Sequence, residues 1–146
     1  MIDESIGELS SVLEKRPYSK IAWHQLGKIY NKQGKFNFID IGSGNGDFLI
    51  NLCKNHSFKK CIGIEIEKKS YLEACKRCKN IKNLKFYNLD VLKYNFEKTP
   101  TIFYLYEPFF DIEYNKAIFM YNKLFQNIKK INSKRYLFFE LIFLIF

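Results

Sequence analysis

The densest chemistry in the sequence lies in one segment, Phe38-Ile39-Asp40-Ile41-Gly42-Ser43-Gly44-Asn45-Gly46-Asp47-Phe48-Leu49. An apolar run delivers the chain into a turn of three alternate glycines. Glycine permits positive φ and lets a ligand approach the backbone closely. A helix expected from Asp47 would present its free amide groups at the same place. The spacing is GxGxG, not the GxGxxG of pyrophosphate-binding loops. Asp40 and Asp47 flank it, and two carboxylates there disfavour a pyrophosphate. They suit a ligand whose near end is a cationic amino acid. Gly42, Ser43, Gly44 and Gly46, with Asp40, are therefore candidate ligand-binding residues. The plainer reading of the glycines is a tight turn.

Three further elements follow in order. Glu65 ends the apolar run Cys61-Ile62-Gly63-Ile64-Glu65, about twenty residues beyond the glycine loop. A carboxylate there can accept hydrogen bonds from two ribose hydroxyls. Asp90 follows Leu84-Lys85-Phe86-Tyr87 and could accept from the amino group of an adenine, with Ile66 and Val91 sandwiching the ring. Tyr106-Glu107-Pro108-Phe109-Phe110 follows the next apolar run, where a substrate amine or hydroxyl would sit. Glu107 and Phe109 are the candidate catalytic residues. The structural alternatives are a solvated strand end for Glu65, a helix cap for Asp90, a surface acid for Glu107 and simple core for Phe109.

The elements that must hold these residues are legible from periodicity. Asp3 to Lys15 carries Ile6, Leu9, Val12 and Leu13 at helical spacing, and Pro17 ends it. Ser19 is a plausible cap for a second helix with Ile21, Ala22, Leu26, Ile29 and Tyr30 on one face and Gly34 at its stop. Then the pattern changes. Residues 36–41, 61–65, 84–87 and 101–106 read as buried strands. Asp47 to Asn55 and Lys68 to Lys79 read as helices, the first with Phe48, Leu49 and Leu52 inward. Asn115 to Ile131 reads as a long helix with Ile118, Phe119, Tyr121, Leu124, Phe125 and Ile128 available for burial. Arg135 to Phe146 reads as a fifth strand or strand-like tail. Strands alternating with helices imply a parallel sheet with helices on both faces. The expected architecture is thus one α/β domain over residues 1–146. A helical segment, 1–35, precedes a Rossmann-like core, 36–146, that lacks the last strands of a full fold of this type.

These four ordered elements, from about Phe36 to Phe110, resemble the class I S-adenosylmethionine-dependent methyltransferases. The resemblance implies that the Asp-x-Gly-x-Gly-x-Gly loop, here Asp40, Gly42, Gly44 and Gly46, holds the methionine part. It implies that Glu65 binds ribose and that Asp90 faces adenine. Two subfamilies share further residues. Ile41 to Leu49, Ile62 to Ile66, and Asn83-Leu84 with Asp90 look like the tRNA guanine-N7 methyltransferases. Those carry Phe-Pro-Asp-Pro-Trp where this chain has Leu105-Tyr106-Glu107-Pro108-Phe109. Asp-x-Gly-Ser-Gly with Gly63-Ile64-Glu65 also resembles the non-SET lysine methyltransferases. In those a helical segment bearing a Tyr closes over the cofactor, a place that Tyr18 would take. The segment at Tyr106 is not the Asn/Asp-Pro-Pro-Tyr/Phe motif of amino-directed DNA and RNA methyltransferases. The implied function is methyl transfer from S-adenosylmethionine to an RNA base or a protein lysine. The alternative is an inactive, truncated or partner-dependent domain. A nicotinamide- or flavin-binding domain would need GxGxxG, and a pure nucleic-acid module leaves the glycine loop unexplained.

Composition narrows the rest. The chain has 146 residues, nearly half of them apolar, which is globular rather than disordered. No run of about eighteen apolar residues suggests a membrane span, and the start lacks a signal peptide's pattern, so a cytoplasmic location is expected. The net charge of +9 would attract nucleic acid, anionic lipid or acidic protein, although the basic residues are scattered. Cys75 and Cys78 form a CxxC inside a helix, without the partners of a zinc site or the position of a redox motif. All four cysteines are expected as free thiols, and no metal is expected. The tail from Tyr136 to Phe146 is too apolar for a solvated end. As an edge strand it would seek a dimer or other partner.

Overall fold

The structure is a computed structural model that describes residues 2–15, 25, 34, 36–99, 101–105, 108–109, 111–131 and 139–141. The elements are α1 (Ile2–Lys15), β1 (Asn37–Ile41), α2 (Asp47–Asn55), β2 (Lys60–Glu65), α3 (Lys68–Arg77), β3 (Leu84–Asn88), a short 3₁₀ turn (Val91–Lys93), β4 (Thr101–Leu105), α4 (Tyr114–Ile131) and β5 (Phe139–Leu141). The expected second helix and Tyr18 lie outside the described residues, apart from Gln25. The expected strand from Arg135 to Phe146 is described only as β5.

The sheet runs β3-β2-β1-β4-β5, with every pairing parallel. From β1 the chain steps outward twice, to β2 and β3, then returns to the other side of β1 for β4 and β5. Crossovers are right-handed, so a reversed direction puts the connecting helix on the opposite face. The two cores follow this rule. Phe38, Cys61, Leu84 and Phe86 pack with Leu49, Ile50, Cys53 and Ala74 of α2 and α3. Ile39, Ile41, Ile62, Ile64, Phe103 and Leu105 pack with Leu124 and Ile128 of α4, and with Val91. All five residues of β1 are buried, as a central parallel strand requires. The order reverses between β1 and β4, and a crevice opens there at the carboxyl ends of the strands.

Three expectations change. Phe48 is 45% exposed on α2, its ring stacked on Tyr104 at 4.4 Å, and Ile50 and Cys53 are buried in its place. Ile118 and Phe119 face outward, because α4 docks through Leu124 and Ile128 and the partly buried Ala117, Met120 and Tyr121. Cys53 and Cys61 are joined as a disulfide between α2 and β2, so only Cys75 and Cys78 are free thiols. Residues eight apart became neighbours because α2 folds back on β2, which local patterning does not reveal.

Candidate active site

The glycine loop leaves β1 at the switch point. Gly42, Gly44 and Gly46 have φ of 79°, 54° and 81°, the left-handed region that favours glycine. The amides of Gly42 and Ser43 donate to the Ile64 carbonyl at 2.9 and 3.2 Å, and that of Gly46 to the Ser43 carbonyl at 3.0 Å. The turn is therefore tied to β2 as well as to β1. Arg77, at the end of α3, bonds the Asn45 carbonyl and pairs with Asp47, closing the outside of the loop. A Cβ on Gly42 would stand 3.1 Å from Pro108, whereas one on Gly44 would meet nothing within 4 Å. Space for a ligand therefore lies over Gly44.

Glu65 is the hinge of the site. Its Oε2 accepts from the Gly44 amide at 2.7 Å and its Oε1 from the Glu67 amide at 2.7 Å. Asn88, across the sheet on β3, donates to the carbonyls of Glu65 and Ile66 at 2.9 Å each. The buried Glu65 carboxylate thus ties the loop after β1 to the end of β2, and the Asn88 side chain ties β3 to the backbone there. Asp90 caps the 3₁₀ turn, its Oδ1 accepting from the Leu92 amide at 2.9 Å.

A cavity of about 740 Å³ runs across these ends. Of the residues singled out by sequence, Gly42, Gly44, Glu65, Ile66, Asp90, Val91 and Phe109 line it. Asp40, Ser43 and Gly46 do not. Ser43 is buried with its hydroxyl toward Gly63, and Gly46 is buried against Phe86 and Ala74. Asp40 is 4% exposed within β1. Burial pushes its carboxyl up to about 7, and the nearby Glu65 charge adds to the shift. Tyr18 and Glu107 lie outside the described residues.

Asp111, Ile112 and Met120 escaped the sequence reading. Pro108, Asp111, Ile112 and Met120 line the far wall. Phe109 is buried beside them, edge-on to Tyr121 at 4.8 Å. Gly63 has a structural duty: a Cβ there would lie 2.3 Å from Phe86. A glycine inside a strand does signal a close approach, so that position was detectable. Nothing in the sequence marks Met120. Among the described residues no cluster of His, Cys, Asp or Glu could hold a metal ion. Among them, too, no helix is long and apolar enough to cross a membrane.

The cavity suits S-adenosylmethionine on three counts. Its volume is that of a small-molecule site. A carboxylate has about four acceptor positions, so Glu65 retains about two for ribose hydroxyls after serving two amides. Glu65, Asp90 and Asp111 also bring negative charge to a cavity that would hold a cation.

A parallel sheet reversing beside a glycine turn, with acids ending the next two strands, defines the class I S-adenosylmethionine-dependent methyltransferases. The comparisons agree. A family profile described as "Putative methyltransferase" matches residues 35–132, and the chain belongs to that family. The tRNA (guanine-N(7)-)-methyltransferase of Thermotoga maritima is 34% identical over 65 residues, covering 43% of this chain. The match spans 20% of that relative's length. Among solved structures, the N-methyltransferase NodS from Bradyrhizobium japonicum WM9 superposes with a TM-score of 0.56 and 20% identity, covering 79% of this chain and 62% of that one. PKMT2 from Rickettsia typhi, in complex with AdoHcy, gives 0.55 and 17%, covering 67% of this chain and 19% of that one. At such identities the two structures share the fold.

Proposed function

We propose that the protein binds S-adenosylmethionine in this cavity and transfers its methyl group to an RNA base. The observation that carries the reading is the Gly44–Glu65 hydrogen bond facing the same cavity as Asp90. It sets a loop amide, a ribose-binding acid and an adenine-facing acid around one space. Gly42 and Gly44 cradle the methionine part, with Ser43, Gly46 and Asp40 shaping the loop from beneath. Glu65 takes the ribose, Asp90 the adenine amino group, and Ile66 and Val91 the faces of the ring. Tyr18 would cover the cofactor. Phe109 faces the acceptor, a role the sequence motif also gives to Glu107. The RNA acceptor rests on the likeness to the tRNA methyltransferase and on the charge of +9.

S-adenosylmethionine carries an already activated methyl group, so the chain's work is alignment and water exclusion. Pro108 and Phe109 form an apolar wall that excludes water from the acceptor side. Glu65 fixes the cofactor's position because its own carboxylate is fixed by two amides. An unprotonated ring nitrogen needs no base in order to attack. For an amine, Glu107 would be the carboxylate to take the departing proton.

The test is calorimetric titration with S-adenosylmethionine, beside Gly44→Asp and Asp40→Ala, followed by tritiated methyl transfer to unfractionated tRNA and to lysine-rich protein. Micromolar binding, lost in both variants, with counts in tRNA, supports the reading. Counts in protein alone would replace the RNA acceptor with lysine. Binding without any transfer would favour a partner-dependent domain. No binding by a folded wild-type protein would remove the cofactor site.

A further inference from the structure

We infer that the outward strip of α4 formed by Lys116, Phe119, Lys123 and Lys130 is a docking surface for single-stranded RNA. The inference rests on the RNA acceptor proposed above. Helical residues three, four and seven apart share one face, so Lys116, Phe119 and Lys123 stand in a row, and Lys130 continues it. The row is about 21 Å long at the helical rise. All four side chains are exposed, Phe119 by 65%. Tyr114, 76% exposed, stands at the start of the same helix. The helix contains no acidic residue. Its other face is committed, since Leu124 and Ile128 are fully buried in the core.

An exposed aromatic ring between cations is the combination that grips single strands. The ring stacks a base while the ammonium groups meet flanking phosphates. An apolar protein partner would gain nothing from three lysines on a helix that holds no acidic residue. The strip also leads to the site, because Met120 of α4 and Ile112 just before it line the methyl-transfer cavity. A strand lying along α4 would bring a neighbouring nucleotide to that opening. The other lysine-rich helix, α3, lacks this composition. It carries Glu73 among its cations, Arg77 is engaged by Asp47, and Tyr71, its lone aromatic, is half-buried.

The probes are a fluorescein-labelled oligouridylate and unfractionated tRNA, titrated onto the full chain across a salt series. Phe119→Ala should weaken oligouridylate binding about tenfold. Lys116→Gln/Lys123→Gln should flatten the slope of log affinity against log salt by about 1.4, the share of two single-strand phosphate contacts. Lys69→Gln/Lys76→Gln on α3 should leave both quantities near wild type. S-adenosylmethionine affinity and melting temperature should be unchanged in all three. RNA binding that the α4 variants do not weaken would overturn the inference. So would a wild-type protein that binds no RNA, or a dimer that Phe119→Ala dissociates. Loss of cofactor binding with RNA binding still dependent on α4 would count against the methyltransferase reading and leave the docking strip intact.

Discussion

The two halves of the sheet reach the same cavity by different means. On the β1–β2–β3 side, the site is set by hydrogen bonds to backbone. The loop amides bond Ile64 and Glu65, and Asn88 bonds the carbonyls of Glu65 and Ile66. On the β4–α4 side, Pro108, Phe109, Ile112 and Met120 build the wall with apolar side chains, among which Phe109 packs on Tyr121. A cofactor common to many acceptors needs a fixed frame, and backbone groups supply one whose geometry varies little with side-chain identity. An acceptor needs shape, and shape is supplied by side chains that can change without disturbing the frame.

The largest expected effect tests how the first half tolerates Asp40. Its carboxyl is raised from 3.8 to about 7 by burial and by Glu65. Below its ordinary pKa the acid is protonated whether the chain is folded or not, and it contributes nothing. As pH climbs toward 7, the unfolded chain releases the proton first, so the folded state loses stability, with the full penalty present above about 7. The whole shift corresponds to about 4 kcal/mol. Urea melts between pH 5 and 8 should show wild-type stability falling relative to Asp40→Asn. Parallel curves would mean that the charge is compensated in the fold.

Next comes Gly63→Ala, which places a methyl 2.3 Å from the Phe86 ring. Overpacking of this kind costs about 1–3 kcal/mol. Gly63→Ala/Phe86→Leu should recover part of the loss, a coupling that a double-mutant cycle measures. Additive losses would show that Phe86 yields without cost and that the half is less rigid than its hydrogen bonds suggest.

This contrast also governed what the sequence could reveal. Backbone geometry demands particular residue types, so glycines 42, 44 and 46, Glu65 and Asp90 stand out in one chain read alone. The sheet was legible for the same reason, through buried runs ending at those positions. Side-chain packing leaves weaker marks. The long helix has more apolar residues than it can bury, and periodicity did not say that Ile118 and Phe119 would be the ones left outside. Phe48 looked like core, yet its ring lies on Tyr104 near the surface. The Cys53–Cys61 pairing and the walls at Ile112 and Met120 depend on which elements meet, and that is decided only when the sheet assembles.

A smaller effect is expected for Glu65→Gln. The amide retains one oxygen for a backbone donor, but its NH₂ group faces a second amide that needs an acceptor. A hydrogen bond to a charged partner is worth about 1.5–3 kcal/mol, so S-adenosylmethionine affinity should fall by about ten- to a hundredfold. Calorimetry on folded Glu65→Gln decides it. Unchanged affinity would mean that the loop holds the cofactor without the carboxylate, and that the frame is backbone alone.

The smallest effect on the cofactor is expected at Phe109→Leu, on the side of the cavity proposed to take the acceptor. Leucine is apolar and somewhat smaller than phenylalanine, so the wall survives while the edge-on contact with Tyr121 is lost. Stability should drop by about 0.5–1.5 kcal/mol, the worth of an aromatic pair beyond its burial. Because Phe109 faces the cavity from the β4 side, S-adenosylmethionine affinity should stay within about twofold of wild type, a few tenths of a kcal/mol. On the RNA acceptor proposed above, methyl transfer to tRNA should fall by more than that, since misplacing the acceptor erodes the alignment on which transfer depends. Cofactor affinity that falls as far as transfer would place Phe109 in both subsites and erase the division between the two halves. Transfer that is indifferent to Phe109→Leu would move the acceptor's contacts elsewhere along the far wall, with Asp111 and Met120 the next side chains to vary.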